Sequence, residues 1–150
     1  PNIWEYPLGK CKIYTTTFNQ DVAFRGTKFK EADFSNTIFG EKVKADFSEV
    51  EFYERADFKK VTFGGNVYFI GATFEGDADF SGATFEGEVY FKPFNVGRHK
   101  PTVFKKGANF KESIFNKGVI FKCIFNFSVS FDRTEFNHSV GFWETEFIIT

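Results

Sequence analysis

Phenylalanine returns along the chain in a beat of five and six. It stands at Phe47, Phe52, Phe58, Phe63, Phe69, Phe74, Phe80, Phe85 and Phe91, so two units occupy eleven residues. Two positions before each ring comes a small side chain: Ala45, Val50, Ala56, Val61, Val67, Ala72, Ala78, Ala83 and Val89. The same triplet extends upstream to Thr16/Phe18 and downstream through Ala108/Phe110, Ser113/Phe115 and Val119/Phe121 to Thr145/Phe147. Side chains on an extended strand alternate in direction, so the small residue and the Phe share one face and the residue between them faces the other. That middle column is mostly polar, with Asp46, Glu51, Asp57, Thr62, Thr73, Asp79, Thr84 and Asn109. Each triplet therefore reads as a very short strand with two inward residues. Turn residues follow, often with Gly, as in Ser81-Gly82, Glu75-Gly76-Asp77 and Glu86-Gly87-Glu88, where glycine is expected to supply the positive φ of a sharp corner. A helix is excluded, because a beat of five and six fits no face of a 3.6-residue period.

Strands this short are stable only when each coil of chain stacks on the one before, as in a solenoid. The outward residues Asp57, Tyr68, Asp79 and Tyr90 lie eleven apart but alternate in kind, so chemical likeness returns after twenty-two residues and a coil has four sides. Counting triplets from Phe18 to Phe147, with Val96 in the place of a Phe and Phe125 at a short spacing, gives 24, or six coils. At about 4.8 Å per rung the rod is about 29 Å long. The expected core is a set of stacked rings that includes Phe47, Phe52, Phe58, Phe63, Phe69, Phe74, Phe80, Phe85, Phe91, Phe110, Phe115 and Phe121. Residues 1–15, with Trp4, Tyr6, Leu8 and Ile13, read as an N-terminal cap, and residues 16–150 as the all-β solenoid.

The segments ADFSN, ADFKK, ADFSG and ANFKE resemble the pentapeptide-repeat family, whose consensus is A(D/N)LXX with Leu or Phe at the centre. The resemblance covers about residues 16 to 147 and implies a right-handed quadrilateral β-helix. The sixth residue inserted at alternate corners is the departure from the family pattern, and two of the four corners are expected to be wider for it.

Composition sharpens this picture. Phe supplies 25 of the 150 residues while Met is absent, so one aromatic side chain has been chosen for a repeated job. Lys plus Arg is 19 against 20 for Asp plus Glu, which leaves no global field to draw the chain to nucleic acid or anionic lipid. No apolar run approaches the length of a membrane span, and PNIWEYPLGK lacks the features of a signal peptide, so the expected location is cytoplasmic.

Two breaks interrupt the beat. Between Phe39 and Phe47 the stretch GEKVK is expected to bulge. Between Phe91 and Phe104 the stretch KPFNVGRHKPT is expected to protrude as a loop carrying Arg98, His99 and Lys100, either a contact for an acidic partner or phosphate, or a plain solvated loop. Toward the C-terminus the outward positions turn apolar, at Val103, Ile114, Ile120 and Ile124, with Tyr68 and Tyr90 expected to ladder beneath Ile114. Tyr68, Tyr90, Ile114, Ile120 and Ile124 are therefore the candidate interface, and the expected partner is another protein or a second copy docked through the C-terminal end. The alternatives are a short protected edge in a monomer and a chain continuing in something longer.

Reactive chemistry is sparse. Cys11 falls in the cap and Cys123 at an inward position several coils away, too far for a disulfide, and neither a CxxC nor a paired-His motif offers a metal or cofactor site. His99 and His138 lie far apart along the rod. Asp33, Asp57 and Asp79 stack on one face, as catalytic carboxylates would, but Asp is also the outward consensus of this repeat. Asn126 and Asn137 begin glycosylation sequons that matter only in secretion. The expected function is a non-enzymatic β-helical scaffold or interaction module. Two alternatives are weighed beside it. Some pentapeptide-repeat proteins mimic duplex DNA and bind type II topoisomerases such as gyrase, but this chain lacks the strongly negative rod that mimicry requires. Larger β-helices degrade polysaccharides, but they build clefts from long loops that are lacking here.

Overall fold

Among the described residues, twenty-three short strands, most of them two residues long, follow one another along the chain with no helix between them. They come from a computed structural model, which describes residues 8–92 and 100–148. Every pairing between them is parallel, and the pairings sort into four walls. The first wall runs from Leu8–Lys12 through the C-terminal half of Lys28–Asp33 to Ala56–Asp57, Ala78–Asp79, Ala108–Asn109 and Val129–Ser130. The second holds Thr17–Phe18, Ile38–Phe39, Thr62–Phe63, Thr84–Phe85, Ile114–Phe115 and Glu135–Phe136. The third holds Val22–Ala23, Ala45–Asp46, Val67–Tyr68, Val89–Tyr90, Val119–Ile120 and Val140–Gly141. The fourth begins with the N-terminal half of Lys28–Asp33 and continues through Glu51–Phe52, Thr73–Phe74, Thr102–Phe104, Cys123–Phe125 and Glu146–Phe147. Six rungs on four walls make the six-coil solenoid expected from the sequence.

The beat of Phe becomes four columns of rings. On the third wall Phe24, Phe47, Phe69, Phe91, Phe121 and Phe142 stack with centroids 5.0–5.4 Å apart. The other walls stack the same way, for example Phe58 on Phe80 at 4.9 Å and Phe85 on Phe115 at 4.5 Å. Between columns the rings meet edge to face, as Phe58 and Phe69 do at 88°. Rungs about 4.8 Å apart set the first geometry, and the positive ring edges prefer the faces of their neighbours in the second. All twelve Phe expected in the core are buried, at 0–1% exposure. Burying one such ring is worth about 4–6 kcal/mol as an upper figure.

Two kinds of corner alternate. After each Phe of the first wall, and after most of those on the third, the Phe carbonyl accepts the amide three residues on, and the residue before that amide has positive φ: 59° at Glu49 between Phe47 and Val50, 67° at Gly82 between Phe80 and Ala83. These are type II turns, and they are the five-residue corners. Most six-residue spacings follow the second and fourth walls, while Phe29 to Phe34 is five residues and Phe39 to Phe47 eight.

Glycine at the wide corners has a different reason from the one expected. Gly76 does not have positive φ; instead a Cβ there would lie 2.4 Å from the backbone carbon of Glu54 one coil below. Coils stack backbone on backbone at that corner, so the restriction is room rather than handedness.

The membership of the coils also differs from expectation in one place. The chain passes from Val89–Tyr90 on the third wall to Thr102–Phe104 on the fourth, so Val96, which lies outside the described residues, is not needed as a wall. The remaining first-wall place goes to Ile13, partly buried and packed on the core after Leu8–Lys12. Thr102 seals the re-entry point, its buried hydroxyl lying 2.7 Å from the carbonyl of Phe69 and 2.9 Å from that of Phe91.

Candidate interaction surface

The outward side chains decide what each wall offers. On the first wall they run Lys12, Asp33, Asp57, Asp79, Asn109 and Ser130. The stacked carboxylates expected here are present, and each has a structural task. Asp33, Asp57 and Asp79 accept the backbone amides of Ser35, Lys59 and Ser81 at 2.9–3.0 Å, and Asn109 does the same for Lys111. An Asp or Asn side chain bonding two residues ahead holds the tight corner in shape. Arg55 Nη2 lies 3.3 Å from Asp57 and 3.4 Å from Asp79, joining two rungs. A shallow groove of about 390 Å³ over Asp77, Asp79 and Ser130 runs beside them. No group of three or more His, Cys, Asp or Glu among the described residues is placed to hold a metal ion.

The third wall is the apolar one. Its outward column reads Ala23, Asp46, Tyr68, Tyr90, Ile120 and Gly141. Tyr68 and Tyr90 stack at 4.9 Å with 6° between their planes. The residue above them is Ile120, not Ile114, which belongs to the second wall, while Ile124 belongs to the fourth. The expected ladder is thus corrected, and the five candidate interface residues fall on three walls. The cause is the count through residues 92–101: taking Val96 as a side advances every later residue by one wall.

On the third wall the apolar column continues into the C-terminal end. Gly141 stands above Ile120, and a Cβ on it would meet Ile120 and the indole of Trp143 at 3.8–4.0 Å. Trp143 is 72% exposed. Around it Phe142, Phe147 and Ile148 are 38–48% exposed, although Phe142 and Phe147 occupy the inward position that is sealed in the coils below. Asp132, Glu135, Glu144 and Glu146 belong to the same coil, and Asp132 lies 3.5 Å from Arg133 and 4.0 Å from Lys111. Lys122 bonds Glu144 and holds its carboxyl below the usual range.

The stretch expected to protrude lies mostly outside the described residues. Arg98 and His99 lie outside the described residues, while Lys100 is exposed with its Nζ 3.8 Å from Glu51. Lys105 pairs with Glu75 at 2.8 Å. Cys123 is fully buried, burial pushing its thiol well up, and Cys11 is half-buried; both are free. His138 is exposed beside Ser139.

A family model described as Pentapeptide repeats (9 copies) matches residues 47–93. That stretch is similar to pentapeptide repeats, and the same parallel stacking continues on both sides of it. No curated protein and no solved structure matches the chain. Sequence reading missed Trp143 and Phe127, the latter 52% exposed. Trp143 takes the place after the Phe where earlier coils carry Arg25, Ser48 and Ile70, and that change of residue type was the available signal.

Proposed function

We propose that the protein is a non-enzymatic scaffold whose C-terminal end docks another polypeptide, a second copy of the chain being the occupant. One observation carries this reading. The rings of the C-terminal coil take the inward place of the pentapeptide repeat, yet Phe142 and Phe147 remain 38% and 48% exposed beside Trp143. Exposed apolar surface of this kind favours association. The carboxylates of the first wall support the non-enzymatic part of the reading, because they hold corners and bind Arg55 instead of converging on a cleft. Light scattering over a range of concentrations tests it. The mass is expected to rise above 17.3 kDa with concentration, and Trp143→Glu, at an exposed position, is expected to lower it toward the monomer with an unchanged circular dichroism spectrum. A monomer at every concentration overturns the reading.

A further inference from the structure

The face of the third wall opens into a cavity of about 470 Å³, with Val22 and Ala23 below, Tyr68 and Ile70 above, and Asp46 and Ser48 between them. We infer that this cavity takes a guanidinium group, presented as an arginine side chain by a partner polypeptide. Ser48 supplies the first reason. It is only 4% exposed and lines the cavity, yet its hydroxyl makes no hydrogen bond among the described residues. The buried hydroxyls of Thr37, Thr102 and Ser113 all bond to backbone carbonyls. Ser35, which follows a first-wall ring as Ser48 follows a third-wall one, bonds the Asp33 carboxylate at 2.6 Å. A polar group this buried ordinarily has a partner. For Ser48 the open side is the cavity, so a ligand there can supply it.

Asp46 gives the second reason. Its Oδ1 accepts the Ser48 amide at 2.9 Å, which leaves Oδ2 for a ligand, and no cation of the described residues pairs with it. The matching aspartates of the first wall, Asp57 and Asp79, share Arg55. Around Asp46 the other charges offset one another. Arg25 lies 3.7 Å from Glu49, and Lys44 stands beside Asp21, whose Oδ1 accepts the Lys44 amide at 2.8 Å. The lining thus sets Asp21, Asp46 and Glu49 against Arg25 and Lys44, an excess of one carboxylate.

The chemistry of the lining selects the form of the cation. Asp46 Oδ2 and the Ser48 hydroxyl oxygen can both accept, and they belong to residues two apart in one corner. A guanidinium is a flat fork of N–H donors that can bond a carboxylate and a neighbouring hydroxyl together, whereas an ammonium is a compact, strongly hydrated point charge. The aliphatic stem of an arginine suits Val22, Ala23 and Ile70. Tyr68 borders the cavity one rung, about 4.8 Å, above Asp46, and a guanidinium packs favourably on an aromatic ring. None of these residues belongs to the C-terminal coil, so the site stands or falls apart from the docking end.

Titration with N-acetyl-arginine methylamide, followed through the backbone amide signals of the isotope-labelled protein, tests the site. Saturable shifts in the millimolar range are expected at Asp46, at Ser48 and at Gly26, whose amide bonds the Ser48 carbonyl. Asp46→Asn keeps the corner bond, as Asn109 does for Lys111. It is expected to weaken binding about tenfold, the difference between a charge-assisted and a neutral hydrogen bond. Ser48→Ala is expected to weaken it about fivefold. Ala23→Leu, at an exposed outward position, is expected to fill the cavity floor and abolish the shifts while the rest of the spectrum stays that of the folded protein. The citrulline analogue, a neutral urea of the same shape, is expected to give no saturable shift. Equal binding of the citrulline analogue, or binding that Asp46→Asn leaves unchanged, overturns the role of charge. Equal binding of the lysine analogue overturns the choice of guanidinium, and no saturable shift with the arginine probe overturns the site itself.

Discussion

Phe121 and Phe142 stack at 5.0 Å with 9° between their planes, yet Phe121 is fully buried and Phe142 is 38% exposed. The side chain, the wall and the ring beneath are alike in kind. What differs is that Phe121 has a stacked ring on the next rung, Phe142, whereas Phe142 belongs to the last rung among the described residues.

That relationship orders the cost of losing a ring. Phe80, closed in by rings above and below, should cost about 3–5 kcal/mol when replaced by Ala. Phe142→Ala should cost less, about 1–3 kcal/mol, because part of its surface already meets water. Urea unfolding followed by circular dichroism measures both. An unchanged midpoint for Phe80→Ala would remove the ring columns as the source of stability.

The two corner types separate two glycines. At Gly82, φ is 67° and a Cβ would approach only the flexible Lys60 side chain, at 3.2 Å. Gly82→Ala should cost about 1 kcal/mol, the ordinary penalty for forcing Ala into a left-handed turn. At Gly76 the added carbon meets backbone at 2.4 Å and one coil must shift against the next. Gly76→Ala should cost more, about 2–3 kcal/mol. Equal losses in thermal unfolding would refute the distinction.

The outward aspartate of the repeat should matter through its oxygen and not its charge. Asp79 Oδ1 accepts the Ser81 amide at 3.0 Å, and Asn109, one rung higher, does the same job for Lys111 at 2.9 Å. Asp79→Asn should therefore lose only the exposed contact with Arg55, about 0–1 kcal/mol. Asp79→Ala should lose the corner bond as well, about 1 kcal/mol more. Chemical denaturation of the two variants side by side decides; if Asn is as costly as Ala, the carboxylate charge is what the wall needs.

The architecture was legible because one physical rule acts at every coil: a wall needs a ring on the inside and a polar residue outside, so Phe52 and Asp57 announce their places without help from distant sequence. Tyr68 and Tyr90 were legible as a pair for the same reason. Ile120 was not, because assigning it a wall depends on whether Val96 counts as a side, and the beat of Phe alone does not decide that. Trp143 escaped because its exposure comes from its position beside Gly141 in the last rung among the described residues. The glycine at 76 was visible, but its reason was not: only stacked backbones show that space is what is short there.

Tyr90 gives the pH dependence its sign. Its hydroxyl donates to the Glu88 carboxylate, and that bond, ahead of burial, pushes the phenol up to about 12. In the unfolded chain a tyrosine ionises near about 10. The folded state thus holds this proton more tightly, so the stabilisation is fully present below about pH 10 and is lost as pH rises toward about 12. Comparing wild type with Tyr90→Phe isolates this group from the other tyrosines and the lysines, which titrate in both proteins. The difference in unfolding midpoint should be largest at about pH 9 and shrink toward about pH 12 as the phenolate forms and faces Glu88. A difference that stays constant across that window would mean the Tyr90–Glu88 bond does not persist in solution.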